Sequence, residues 1–349
     1  MSKENHPVYH KFTLIGVIVT LGIVYGDIGT SPLYVMKAIV GANANIDSNY
    51  IIGAISCIIW TLTLQTTVKY VLITLRADNK GEGGILALYA LIRNRKKWLY
   101  IIAIIGASTL IADGIITPSI TVVSAIEGLD AISPNPPVVT ISIVIISVLF
   151  LIQQFGTSAI GKSFGPIMFV WFATLGILGG IHIGTYFPIL KAFNPYYAVK
   201  VLIDYPNWFL ILGAVFLCTT GAEALYSDLG HCGIKNIRAS WAFVKTMLIM
   251  NYLGQGAWLI NHLDSIHNGL NPFFAIMPKD FLIFGVLLST IAAVIASQAL
   301  ISGSYTIFSE AMSLNFWPRQ QIKYPAQLKG QMYIPFVNSF LFVFCVAVI

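Results

Sequence analysis

The chain has 349 residues, of which 57% are hydrophobic and only 10% charged, and its formal net charge is +6. A soluble domain carries about a quarter charged residues. There is too little charge here to cover a water-facing surface, so most of the surface must face lipid, and the natural unit is a single helical bundle spanning residues 1–349.

A helix needs about 20 apolar residues to cross the hydrocarbon. Nine stretches reach that length, at roughly 13–36, 50–75, 100–128, 137–155, 164–184, 206–228, 239–260, 280–311 and 333–349. These are spans 1 to 9. The runs are continuous and show no alternation, so they predict helices and not the strands of a membrane barrel. The polar start runs into span 1 with no small-residue cleavage site, so no removable leader is expected. The four cysteines, Cys57, Cys218, Cys232 and Cys345, form no CxxC pair and read as small buried apolar residues.

Lys and Arg set the orientation. With the N-terminus inside, the interior segments carry Lys3 and Lys11, then Arg76, Lys80, Arg93, Arg95, Lys96 and Lys97, then Lys162, Lys235 and Arg238, and last Arg319, Lys323 and Lys329. The exterior loops carry only Lys37, Lys191, Lys200 and Lys279. The positive balance is therefore a topology signal, and nucleic acid is not an expected partner.

Span 1 holds an acid, Asp27, where the membrane should exclude one. Gly26, Gly29, Thr30, Ser31 and Pro32 surround it. Pro32 removes a backbone donor and crowds the preceding turn, so the helix should unwind here. Unwound backbone at membrane depth is tolerated only in a cavity or inside protein. The freed carbonyls, Asp27 and the hydroxyls would then make an oxygen cage for a desolvated monovalent cation, as in transporters with broken helices. After span 2, residues 76–84 contain three glycines and lead into the apolar octet 85–92. The octet is too short to span and is expected as an in-plane or bundle-packed helix.

In span 3, Asp113, Thr117, Thr121, Ser124 and Glu127 are spaced by 4, 4, 3 and 3 residues. That spacing draws one polar line along a single helix face, beside Pro118, which should bend or loosen the helix. Single hydroxyls often bond back to their own helix, but a line with acids at both ends points to an ion pathway. Span 6 carries Thr219, Thr220, Gly221 and Glu223, a second weak point beside an acid. Breaks five spans apart point to inverted repeats, about 13–184 and 206–349, with a midplane site between them. Glu223 is a candidate proton carrier, and with Asp27 it gives a physical basis for proton–cation symport. Carboxylates at span centres cost roughly 3 kcal/mol each on insertion scales, so Asp27, Asp113, Glu127, Glu223 and Asp228 are functional candidates by default. Glu127 and Asp228 lie near span ends, where solvation at the interface is the competing reading. There is no Walker A sequence, metal motif or catalytic triad, so neither ATP hydrolysis nor an intramembrane enzyme is expected.

Over five ordered segments the chain resembles the KUP/HAK/KT family of potassium-uptake permeases. The first runs from Tyr25-Gly26-Asp27-Ile28-Gly29 through Thr30-Ser31-Pro32-Leu33-Tyr34, and the second covers Arg76 to Leu88. The third is Ala112 to Ile120 with Ser124-Ala125-Ile126-Glu127-Gly128, the fourth Thr220 to His231, and the fifth Gln298 to Ser304. The resemblance implies a LeuT-like broken-helix bundle of the amino acid–polyamine–organocation type, importing potassium with protons across the plasma membrane. By motif match it implies potassium contacts from Asp27, Tyr34, Asp113, Thr117, Thr121 and Thr220, and coupling roles for Glu127 and Glu223. No cofactor is implied beyond the transported potassium ion and proton. The expected partners are those ions and membrane lipid, with a homodimer left open. Family members usually have about twelve spans and a cytoplasmic C-terminal domain. This chain stops within the apolar run 340–349, so a truncated, non-transporting fragment is one reading. A cation-coupled amino-acid transporter of the same fold is another, disfavoured by the acids crowding both breaks. A channel would need a repeated carbonyl filter, which is absent.

Overall fold

The computed structural model describes residues 12–43, 46–79, 81–92, 98–155, 158–263, 271–325 and 332–349, without side chains for 158–162. Among these residues the chain is helical, with no strand beyond two isolated bridges. Six helices are long and apolar enough to cross a membrane: Ser48–Arg76, Leu99–Ala131, Val138–Phe155, Ser163–Ile183, Trp208–Ser227 and Lys279–Ser313. Leu14–Val24 and Gly26–Leu33 form a seventh span if counted together, bent by 72° at the break.

The expected count of nine is thus met for seven. The stretch 239–260 lies in the helix Ile234–Asn261, whose 28 residues are long enough but whose buried residues include Asn236, Ser240, Asn251 and Gln255. This helix packs along spans 1, 2 and 5, and neighbours that pair its polar groups relieve it of the need for an all-apolar surface. The stretch 333–349 forms the apolar helix Pro335–Val348, 14 residues long.

Span 2 holds a feature the sequence did not announce. After Thr61 it widens into a π-helix over Leu62–Ile73. The hydroxyls of Thr67 and Thr74 donate to carbonyls five residues back, Leu62 and Lys69, at 3.2 and 2.7 Å. The octet is helical over Ile85–Ile92 and buries Leu86 against Ala103 and Ala107 of span 3, a bundle-packed helix as expected. Span 3 runs as one helix, Leu99–Ile126, straight through Pro118 without a break. The segment after span 5 is not a plain loop. A 3-10 turn over Phe187–Phe193 leads to the helix Pro195–Asp204, which lies on span 2. Its start was legible: Asn194 caps it, accepting from the Tyr196 amide at 3.0 Å, and Pro195 follows at the first helical position.

Spans 5 and 7 form the longest helix–helix contact. They cross at Gly179 and Gly254, where a Cβ on Gly254 would sit 2.4 Å from the Gly179 Cα. Small residues let membrane helices approach backbone to backbone. Outward-facing Leu64, Ile73, Ile105, Val144, Ile177, Phe209 and Ile283 give the bundle an apolar exterior.

Two sets of contacts bear on the ends of the bundle. The Tyr226 hydroxyl donates to the Ala77 carbonyl at 2.5 Å, and Arg238 Nε donates to the Val71 carbonyl at 3.2 Å. These gather the end of span 2, the end of span 6 and the start of span 7. Lys37 and Glu127 form an ion pair at 2.8 Å between the chain after the span 1 break and the end of span 3. Both groupings follow the alternation drawn from Lys and Arg. Of the charges used there, Lys3, Lys11, Lys80, Arg93, Arg95, Lys96, Lys97 and Lys329 lie outside the described residues, as does the side chain of Lys162.

Candidate cation site

The two predicted breaks form and face each other. In span 1 the helix Leu14–Val24 stops at Tyr25, a short helix covers Gly26–Thr30, and a 3-10 turn covers Ser31–Leu33 with Pro32 inside it. Gly26 is pressed on the backbone of Ala296 and Gly29 on the ring of Phe172, where a Cβ would come within 2.9 and 2.6 Å. In span 6 the helix Trp208–Phe216 tightens to a 3-10 turn, Leu217–Thr219, before Thr220 turns extended at ψ 132°. Gly221 follows at φ +83°, in the left-handed region that a side chain disfavours. A Cβ on Gly221 would lie 2.6 Å from the Asp27 Cβ. Glycine is therefore required twice over, by conformation and by contact.

This packing gathers three acids from three spans. One carboxylate oxygen each of Asp27, Asp113 and Glu223 lie within 4.8 Å of one another. Asp27 is buried, and the other two are partly so. The Asp113 Oδ1 accepts from the Thr117 hydroxyl at 2.7 Å. Among the described residues, both Asp27 oxygens, Asp113 Oδ2 and the Thr121 hydroxyl are buried without a hydrogen-bond partner. Two ionised carboxylates this close repel by on the order of 3 kcal/mol at an effective dielectric near 20. A cluster of three with no cationic side chain in it needs positive charge from elsewhere, either a cation or protons.

The polar line on span 3 faces inward as its spacing predicted, with Thr117, Thr121 and Ser124 all buried. Tyr34 ends the span 1 break, its phenol 3.3 Å from the Ser31 hydroxyl and against Thr220. Glu127 is not brought to the cluster. It lies 14 residues beyond Asp113, about 21 Å along the helix, and pairs with Lys37 at the end of the span.

One expectation needs correction. The freed carbonyls of span 1 do not stand open as a cage. Trp171 Nε1 of span 5 donates to the Gly29 carbonyl at 2.9 Å. Gln255 Nε2 of span 7 takes the Pro32 carbonyl at 3.1 Å, and Asn271 Nδ2 the Leu33 carbonyl at 2.8 Å. Thr30 bonds back to the Asp27 carbonyl at 2.8 Å. Buried backbone groups need partners, and here side chains supply them, so the oxygens left with spare capacity are mainly the carboxylates and hydroxyls. Trp171, Gln255 and Asn271 carry no charge and lie in no spacing pattern with span 1, so nothing local in the sequence marks them as its partners. The same cost of burying polar groups, applied to amides, would have marked Asn251 and Gln255 in span 7.

A family description, "K+ potassium transporter integral membrane domain", matches residues 14–349. The chain belongs to that family. It is 57% identical over 359 residues to the probable potassium transport system protein Kup of Flavobacterium johnsoniae, covering 100% of this chain and 54% of that protein. It is 58% identical over 354 residues to the protein of the same name from Flavobacterium psychrophilum, again over 100% of this chain and 54% of the relative. A Clostridium perfringens relative of that name is 53% identical over 362 residues, covering 99% of this chain and 55% of its own length. The chain thus spans about half the length of the curated relatives it matches. The family is one of transporters, not enzymes, and no cofactor is implied by it.

Proposed function

We propose that the chain is the membrane core of a potassium importer of the plasma membrane, binding the ion between spans 1, 3 and 6. The carrying observation is the cluster of Asp27, Asp113 and Glu223, whose oxygens converge within 4.8 Å at two facing helix breaks. The names of the relatives point to potassium, and the convergence of three acids supports a cation between them. Asp27, Asp113, Thr117, Thr121, Tyr34 and Thr220 bind potassium, and Gly26, Gly29, Pro32 and Gly221 shape the breaks. Glu223, alone among the three acids in lying at the span 6 break, exchanges a proton and couples uptake to the proton gradient. Glu127 serves the outer end, held by Lys37. The N-terminus lies inside. Broken spans five apart support the inverted-repeat architecture of the amino acid–polyamine–organocation type, with repeats at about 13–184 and 206–349. The amino-acid reading is set aside, since the relatives are named for potassium transport and a carboxylate substrate would meet three acids.

The deciding measurement is rubidium-86 uptake into proteoliposomes holding the natural protein in full, with and without an imposed pH gradient. Uptake should be saturable and rise with an inward proton gradient. Asp27→Asn should abolish it with membrane insertion intact; normal uptake by that variant would remove Asp27 from the site.

A further inference from the structure

Span 7 carries two wholly buried oxygens with no hydrogen-bond partner among the described residues, the Tyr252 hydroxyl and the Gln255 Oε1. They stand three residues apart, so they share one helix face. The orientation of the Gln255 amide is fixed. Its nitrogen donates both to the Pro32 carbonyl at 3.1 Å and to Asn251 Oδ1 at 2.7 Å. A flipped amide would set oxygen against the Pro32 carbonyl. Asn251 is itself anchored, donating to the Leu175 carbonyl of span 5 at 3.0 Å. The carbonyl oxygen of Gln255 is thereby left facing a place where nothing donates to it. The Tyr252 hydroxyl lies within electrostatic reach of Cys218 at the span 6 break and of Tyr34 at the end of the span 1 break. Gln255 is bonded to the span 1 break through Pro32, so both side chains belong to the part of span 7 that faces the breaks.

We propose that these two oxygens, with the Tyr34 phenol, form a second position for a dehydrated monovalent cation, built from neutral ligands. The inference rests on the reading of the three-acid cluster as a potassium site. Its chemistry complements that cluster. A site with three carboxylates among its ligands holds a cation tightly, whereas passage needs binding that is favourable yet weak enough to leave. A carboxamide oxygen and phenols replace hydration with dipoles alone. Buried polar oxygens are costly to leave unpaired, and an ion in transit satisfies both at once.

Tyr252→Phe is the cleanest probe, because the hydroxyl it removes makes no hydrogen bond among the described residues. In the full natural protein, rubidium-86 uptake should show about a tenfold higher KM and an altered preference between rubidium and caesium, with membrane insertion unchanged. A hydroxyl that merely fills space or holds a water would leave KM and ion preference untouched. A second measurement needs no variant. Thallium(I), a heavy stand-in for potassium, should give density in contact with Tyr252 and Gln255; density confined to the carboxylates would overturn the proposal. Asp27→Asn separates the two levels of inference. If it transports normally, the underlying site reading fails. If it is inactive while Tyr252→Phe keeps its KM and ion preference, only the span 7 position fails.

Discussion

In span 1 the carbonyls freed at the break meet donors from elsewhere: Trp171 on span 5, Gln255 on span 7 and Asn271 beyond it. In span 6 the break closes on itself. The amides of Thr220, Ala222 and Ala224 bond to the carbonyls of Leu217, Thr219 and Gly221, and the Thr219 hydroxyl to the Phe216 carbonyl at 2.9 Å. The first break is held by tertiary contacts and the second by its own backbone turning at Gly221. Similar weak points in sequence therefore yield one clamped segment and one segment that depends on a single dihedral angle. The acid on the clamped side, Asp27, is buried, while Glu223 on the other is partly exposed. That division suits a fixed ion ligand on span 1 and an exchangeable proton carrier on span 6.

Four substitutions test the difference between the two breaks, and the largest effect is expected at Glu223. Glu223→Gln should eliminate potassium-driven proton entry, measured as internal acidification beside rubidium uptake; unchanged acidification would take the coupling role away from span 6. Gly221→Ala should lower uptake by about a hundredfold and reduce thermal stability in detergent by roughly 2 kcal/mol or more, because a Cβ there is strained at positive φ and strikes Asp27. If the variant unfolds with wild-type stability, the turn is not under the constraint claimed for it. Asn271→Leu should cost about 1–3 kcal/mol by orphaning the Leu33 carbonyl, and should raise KM for rubidium more than it lowers maximal rate. A purely thermal effect with KM intact would separate the clamp from the ligand geometry. Smallest is the Lys37–Glu127 pair, 43% and 21% exposed at the side chains. Such exposed pairs contribute about 0–1 kcal/mol, so Lys37→Met should leave stability within that margin, and a larger loss would mean the pair locks that end of the bundle.

Much of the site was legible because membrane burial makes acids conspicuous. Asp27, Asp113 and Glu223 stood out from apolar spans by their insertion cost alone, and the helical spacing of Thr117 and Thr121 showed which side of span 3 would turn inward. The breaks were legible because glycine and proline act locally. The donors that clamp span 1 were not, since no spacing rule links Asn271 to Leu33, which is 238 residues away. The π-helix over Leu62–Ile73 was hidden for a related reason: its residue types are those of an ordinary apolar helix, and the wider winding shows only in which carbonyls are bonded. The polar residues of Ile234–Asn261 are scattered among apolar ones, so the stretch 239–260 reads as one more apolar span, although its mean hydropathy falls short of the spans that qualify.

Residue order alone shows that the chain lives in a membrane, where its helices weaken, and which side chains are too costly to bury without purpose. These follow from local composition and from the period of the helix. Only the tertiary structure decided that the two breaks meet, that Gly221 presses on Asp27, that Glu127 belongs with Lys37 and not with the other acids, and that the carbonyls of span 1 are already engaged. Those outcomes depend on which distant helices share a wall, and the partner of a buried polar group is set by packing, not by its neighbours along the chain.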